Sequence, residues 1–260
     1  AALKKLGMEY KIKDGYILAR SNGRLKGQII KFPKISVGAT ENSIIAACLA
    51  KGKKTKLMNC ACEPEIKDLT QFLNKAGAKI KWSGRTCTIV GVNSLIPITH
   101  TVMADRIEAG TFCVAATLTK GNLEIKNFDP KIIRTELELL KKVGAKIKTK
   151  DSTIFIKGPD KLRSVKNIKT KEFPGIPTDL QAQLMVLMCR SIGNSSITES
   201  IFENRFMHVA ELQRLGAKIS IKNNKAFIEG NTKFIGAELM SSDLRASAVS
   251  YTHLRAHETD

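Results

Sequence analysis

One eight-residue pattern recurs along this 260-residue chain and limits what it can fold into more than any other feature. Leu73-Asn-Lys-Ala-Gly-Ala-Lys-Ile80 returns as Leu140-Lys-Lys-Val-Gly-Ala-Lys-Ile147 and as Leu212-Gln-Arg-Leu-Gly-Ala-Lys-Ile219, and a weaker copy, Leu3-Lys-Lys-Leu-Gly-Met-Glu-Tyr10, stands upstream. The glycines Gly7, Gly77, Gly144 and Gly216 are 70, 67 and 72 residues apart. A repeat of about 70 residues therefore organises the chain, and the fold must be built from copies of one unit.

Each copy reads alike: an amphipathic helix, Gly where the helix should stop, then a strand alternating polar and apolar residues. In Lys79-Ile-Lys-Trp82, Lys146-Ile-Lys-Thr-Lys150 and Lys218-Ile-Ser-Ile-Lys222 the lysines share one parity, which predicts a sheet with one wet face. Partner strands over residues 86–90, 153–157 and 225–229 complete hairpins, with turns expected at Ser83-Gly84, Asp151-Ser152 and Asn223-Asn224 and, in the first copy, at Asp14-Gly15. Between these units runs a second kind of helix, over residues 41–50, 108–118 and 180–189. These helices are apolar nearly all round and are expected to be buried on all sides.

The composition narrows the class. A hydrophobic content of 43% supports real cores and excludes disorder as the main reading. No window approaches the roughly 20 apolar residues of a membrane span, the N-terminus lacks a signal-peptide layout, and the cysteines sit mostly in apolar stretches. A soluble, cytoplasmic protein without disulfides is expected. The formal charge of +19, from 43 Lys and Arg against 24 Asp and Glu, raises a nucleic-acid-binding repeat protein as a rival. That reading needs clustered arginines interleaved with aromatics, whereas aromatics are 5% here and the lysines are spread over every repeat.

A repeat of helix, Gly-Ala, strand and hairpin with a buried second helix resembles the enolpyruvyl transferase family. Seven ordered motifs carry the resemblance: Gly23-Arg-Leu-Lys-Gly27, Val37-Gly-Ala-Thr40, Glu63-Pro-Glu65, Asp105-Arg-Ile-Glu-Ala-Gly-Thr111, Pro177-Thr-Asp-Leu-Gln-Ala-Gln183, Glu203-Asn-Arg-Phe-Met-His208 and Asp243-Leu-Arg-Ala-Ser-Ala248. The resemblance implies an α/β (α+β) fold, an inside-out barrel of repeated units in two domains, with residues 1–103 in the first and 104–248 in the second. It also implies transfer of the enolpyruvyl group of phosphoenolpyruvate to the 3-hydroxyl of UDP-N-acetylglucosamine, a step of peptidoglycan precursor synthesis that uses no cofactor. The sister branch, which acts on a shikimate phosphate, shares the fold but not the Glu-Asn-Arg-Phe-Met-His stretch.

The resemblance assigns roles residue by residue. Asp179 matches the aspartate at the sugar hydroxyl and is the candidate general base, while on its residues alone Pro177-Thr-Asp179 reads as an ordinary helix cap. Arg205 and Arg245 match the arginines of the phosphoenolpyruvate pocket, and Asp243 an aspartate of proton handling. On residues alone Arg205 is an exposed neighbour of Glu203. Arg245 is a first-turn cation that opposes the helix dipole unless an anion sits there. Lys34, Ser36, Val37 and Gly38 match the segment receiving the nucleotide diphosphate, at a helix N-terminus whose free N–H groups favour phosphate. Thr178 and Ile201 would touch the sugar nucleotide, and Arg106 would sit beside Asp105 at the domain junction. Cys60-Ala-Cys62 has no ligand partners at metal spacing and reads as surface or strand cysteines.

Two departures from the family pattern stand out. The Lys-Asn pair and the loop bearing a catalytic Cys or Asp, expected upstream of Leu3, are missing, and residues 251–260 are polar and aperiodic where a buried helix should continue. The chain is therefore expected to be an internal fragment, inactive alone, with residues 249–260 a non-native tail. An uninterrupted native reading frame through the tail in the underlying gene would overturn the last point.

Overall fold

The structure, a computed structural model, describes residues 2–240. The chain divides into two compact units, Ala1–Met103 and Ala104–Asp260.

The first unit opens with a short helix α1 (Ala2–Lys5) and a hairpin of β1 (Met8–Lys13) and β2 (Tyr16–Ser21). It continues through β3 (Ile29–Lys31), α2 (Val37–Cys48), β4 (Thr55–Met58), α3 (Pro64–Lys75), β5 (Lys79–Ser83) and β6 (Thr86–Val90). The last four strands form a sheet of order β3-β4-β6-β5. Its one parallel pair, β3 with β4, is joined by α2, since a parallel connection needs a crossover.

The second unit carries two further copies. The first runs α4 (Arg106–Leu118), β7 (Asn122–Ile125), α5 (Arg134–Val143), β8 (Lys146–Lys150) and β9 (Thr153–Lys157), with sheet order β7-β9-β8. The other runs β10 (Ile168–Lys169), a 3-10 turn over Thr178–Leu180, α6 (Gln181–Arg190), β11 (Ser195–Thr198), α7 (His208–Arg214), β12 (Ile219–Lys222) and β13 (Lys225–Ile228). Its sheet order, β10-β11-β13-β12, and its single parallel pair repeat the arrangement of the first unit's sheet. Among the described residues no sheet closes on itself; the mixed α/β architecture comes from open sheets packed on helices.

The recurring Leu-x-x-x-Gly-Ala motif is a helix stop. Gly77, Gly144 and Gly216 have φ of +101°, +123° and +92°, which only glycine adopts at little cost. The amide after each bonds back to the leucine carbonyl five residues earlier, Ala78 to Leu73, Ala145 to Leu140 and Ala217 to Leu212, at 2.9–3.0 Å. This Schellman geometry satisfies carbonyls that the helix end would leave open, and it turns the chain straight into a strand. The strand lysines Lys79, Lys81, Lys146, Lys148 and Lys222 are exposed, whereas Ile80, Ile89, Ile154, Ile156 and Ile219 are buried.

In all four hairpins the first loop residue has positive φ: Asp14, Gly84, Asp151 and Asn223, at 49–55°. Ser83 pairs with Thr86, so the first unit's second hairpin turns on Gly84-Arg85, one residue later than the expected Ser83-Gly84. The glycine sets that register, because it occupies the first loop position with φ +53°.

Burial of the second kind of helix differs between units. Nine of the ten residues of α6 are buried, all but Arg190, and most of α4. These two helices pack on each other, with Gln183 Nε2 donating to Thr111 Oγ1 at 3.1 Å. In contrast, Ile45 and Leu49, on α2 and at its C-cap, are 51% and 42% exposed, contrary to burial on all sides. The first unit holds one helix of this type among the described residues, so α1, α3 and the sheet cover a single face of it.

All six cysteines are free, and all but Cys62 are buried. Burial pushes the thiols up, Cys48 and Cys60 to about 11 and Cys113 and Cys189 to about 12. Cys60 is a core residue in a loop, not the expected surface or strand cysteine, and its amide bonds to the Arg85 carbonyl. Among the described residues no helix is long and apolar enough to cross a membrane.

Candidate active site

The starts of the three central helices show where the chain departs from simple helix building. Ser36 caps α2, its Oγ accepting from the Ala39 amide at 3.3 Å, and Asp105 caps α4, its carboxylate accepting from Ile107 and Glu108 at 2.7 and 3.3 Å. The start at Pro177-Thr-Asp179 has no side-chain cap in either the 3-10 turn or α6. The cap read from the residues alone is thus absent, at a cost of about 1 kcal/mol. Both side chains that could supply it are bonded elsewhere.

Thr178 donates from Oγ1 to Glu199 Oε2 at 2.9 Å, and Asp179 Oδ1 accepts from Arg205 Nη2 at 2.8 Å. The Asp179–Arg205 ion pair is part-exposed, with side-chain exposures of 36% and 27%, so it contributes on the order of 1 kcal/mol or less to the fold. Its position matters more than its energy. It places a carboxylate and a guanidinium side by side where solvent reaches both, and the bond to Oδ1 leaves the lone pairs of Oδ2 for another donor. The Arg205 guanidinium also lies over the Phe202 ring, 5.5 Å from its centroid, which fixes its plane further.

Arg205 stands on the loop between β11 and α7, and Glu199 at the base of that loop is 2% exposed. Glu199 Oε1 accepts from the amides of Ile201 and Phe202 at 2.8 and 3.2 Å and from Thr170 Oγ1 at 2.8 Å. Thr178, Asp179, Ile201 and Arg205 are therefore brought together in the second unit. The exposed-neighbour reading of Arg205 gives way to this pairing.

Lys34, Ser36, Val37 and Gly38 stand together at the N-terminus of α2 in the first unit. Lys34, Ser36 and Gly38 are exposed, and a Cβ built on Gly38 would meet nothing within 4 Å. The Ala39 amide is taken by Ser36 Oγ and the Thr40 amide by the Ser36 carbonyl. An anion at this end would therefore find the first-turn amides of Val37 and Gly38, the Ser36 O–H and the Lys34 ammonium. Arg106 is the first residue of α4 and is 9% exposed; its charge draws down the pKa of the buried Glu136, which desolvation nevertheless raises to about 7. Asp243 and Arg245 lie outside the described residues, as do residues 249–260.

Glu199 escaped the sequence reading. It sits in Ile197-Thr-Glu-Ser200, outside every one of the seven motifs, and the signal that could have found it is an acid directly after a buried strand. Among the described residues no group of three or more His, Cys, Asp or Glu side chains could hold a metal ion.

The fold belongs to a recognised class: the chain is a member of the EPSP synthase (3-phosphoshikimate 1-carboxyvinyltransferase) family, whose model matches residues 1–251. Within curated proteins it is 62% identical over 247 residues to the UDP-N-acetylglucosamine 1-carboxyvinyltransferase of Pelagibacter ubique, covering 95% of this chain and 59% of that protein. It is 50% identical over 248 residues to the enzyme of the same name from Rickettsia bellii, with the same coverage. The chain thus spans about three fifths of the length of these relatives. Among solved structures, the enolpyruvyl transferase NikO from Streptomyces tendae aligns with a TM-score of 0.82 at 23% identity, and an EPSP synthase from Acinetobacter baumannii with 0.69 at 21%. Each covers 97% of this chain and 62% of the other, and at those identities they share the fold.

Proposed function

We propose that this chain is part of a cytoplasmic enzyme that transfers the enolpyruvyl group of phosphoenolpyruvate to the 3-hydroxyl of UDP-N-acetylglucosamine, releasing phosphate, with residues 1–103 and 104–248 contributing to its two domains. The Asp179–Arg205 pair is the observation that carries the reading. The reaction is an addition followed by an elimination: the hydroxyl oxygen bonds to the vinyl carbon bearing the phosphate as the hydroxyl loses its proton and the methylene carbon gains one, and the C–O bond to phosphate then breaks as that carbon gives up a proton, which restores the double bond. Asp179 is the base for the hydroxyl, acting through the carboxylate oxygen that Arg205 leaves open. Arg205 binds the anionic donor, and its guanidinium suits the planar geometry of carboxylate and phosphate. Thr178 and Ile201 hold the sugar, while Lys34, Ser36, Val37 and Gly38 receive the diphosphate. Arg106 is a further substrate-binding residue, Arg245 belongs to the donor pocket, and Asp243 handles a proton.

The degree of likeness favours this acceptor over a shikimate phosphate, since the carboxyvinyltransferases named for UDP-N-acetylglucosamine stand at 47–62% identity and the aligned EPSP synthases at 20–21%. Calorimetric titration of the chain tests the choice. UDP-N-acetylglucosamine should bind, and Asp179→Asn together with Ser36→Ala should weaken it at least tenfold. Equal or tighter binding of 3-phosphoshikimate would reverse the assignment.

A further inference from the structure

We infer that Glu199 is a positioning residue of this site, holding the Thr178-Asp179 turn and the Ile201–Arg205 loop in one fixed relation; the inference rests on the reading of those residues as the substrate site. Four donors converge on its carboxylate from three separate segments. The Thr170 hydroxyl comes from the end of β10, the Thr178 hydroxyl from the 3-10 turn before α6, and the Ile201 and Phe202 amides from the loop itself. The two ends of the arrangement carry Asp179 and Arg205, whose own bond closes the ring.

The surrounding bonds fix the carboxylate in turn. The Ser200 amide donates to Thr170 Oγ1 at 2.9 Å and the Ser200 hydroxyl to the Thr170 carbonyl. The Glu199 amide donates to the Asn224 carbonyl, and Asn224 Nδ2 donates to the Glu199 carbonyl at 2.9 Å, so the β12–β13 turn anchors the backbone of the same residue. Thr170 is fully buried and Glu199 nearly so, which makes each of these bonds strong and each vacancy costly. A carboxylate that accepts from both hydroxyls and amides, deep behind a solvent-reached ion pair, is arranged to set the angle at which Asp179 and Arg205 face a ligand. It does not touch that ligand itself.

The test compares the wild-type chain with Glu199→Ala, Glu199→Gln and Thr170→Val, reading amide hydrogen exchange across the second unit and affinity for UDP-N-acetylglucosamine. Thr170→Val keeps the volume, is not among the residues assigned to the ligand and carries the test where Glu199→Ala does not fold. In both Glu199→Ala and Thr170→Val the Ile201 and Phe202 amides should exchange at least about tenfold faster, the loss expected for one bond to a charged group. The β9 amides should not change, and affinity should fall by a similar factor. Glu199→Gln, which keeps the shape and one acceptor oxygen for the loop amides, should recover most of both. Loop exchange at the wild-type rate in both variants, faster loop exchange with unchanged affinity, or a uniform rise over the whole unit would overturn the inference. Failure of the wild-type chain to bind the nucleotide sugar, with the loop effects present, would sink the proposed substrate and support the structural hold of Glu199 on the loop.

Discussion

Glu136 lies on α5 at 5% exposure, and the loss of water around its carboxylate outweighs the opposing Arg106 charge. Its native pKa of about 7 stands above the ordinary 4.5, so the native state holds its proton more tightly than the unfolded chain does. Stability from this group is complete below about pH 4.5 and is lost as pH rises through 7. Glu136→Gln removes the charge and keeps the shape. It should unfold like the wild type near pH 4.5 and become more stable by on the order of 3 kcal/mol at pH 8, read by thermal unfolding across that range. A constant difference at all pH values would show that the carboxylate is not charged at a cost in the native state. Nothing in the sequence around Glu136 announces this: it follows Thr135 in an ordinary amphipathic helix, and its burial comes from tertiary packing, in which α5 lies against α4 among other elements.

At the scale of the element, the most legible feature was the helix stop, because a Schellman turn needs glycine at one position and leaves a mark that recurs with the repeat. A second glycine recurs in each copy. Gly91, Gly158 and Gly230 are spaced 67 and 72 residues apart, as are Gly77, Gly144 and Gly216. A Cβ at these positions would lie 1.7 Å from the Ala50 carbonyl oxygen, 2.4 Å from that of Ala116 and 2.0 Å from that of Ser191. Each therefore lets the strand end run against the C-terminal end of its central helix. Gly158→Ala and Gly230→Ala should each destabilise the second unit by about 1–3 kcal/mol through forced backbone shifts, measured by denaturant unfolding. A change within 0.5 kcal/mol would refute the close approach. The sequence showed the spacing but not the reason, since a glycine after a strand also suits an ordinary turn. The cap at Pro177-Thr-Asp179 misled for a related reason: Thr and Asp before a helix serve equally as caps or as long-range partners, and the deciding residues, Glu199 and Arg205, are 20 and more positions away.

Over the whole molecule, the charge of +19 reads differently once the lysines are placed. Most strand lysines occupy the solvated face of the sheets, and the cations assigned to anionic substrates are few: Lys34 at the start of α2, Arg205 beside Asp179, and Arg245. The repeats and the ordered motifs were enough to give the family and its fold, because both depend on local patterns copied several times. The ties within the site were not readable, because they join single residues 21 to 29 positions apart within one copy and have no counterpart pattern in the others. The central claim is the chemistry, and the direct measurement is phosphate release from phosphoenolpyruvate by a full-length chimera, made by replacing the matched 247-residue segment of the Pelagibacter ubique relative with that of this chain. The account predicts release that depends on UDP-N-acetylglucosamine and falls at least about a hundredfold in Asp179→Asn, as expected for loss of a general base. Release driven by 3-phosphoshikimate, or release untouched by Asp179→Asn, would contradict it.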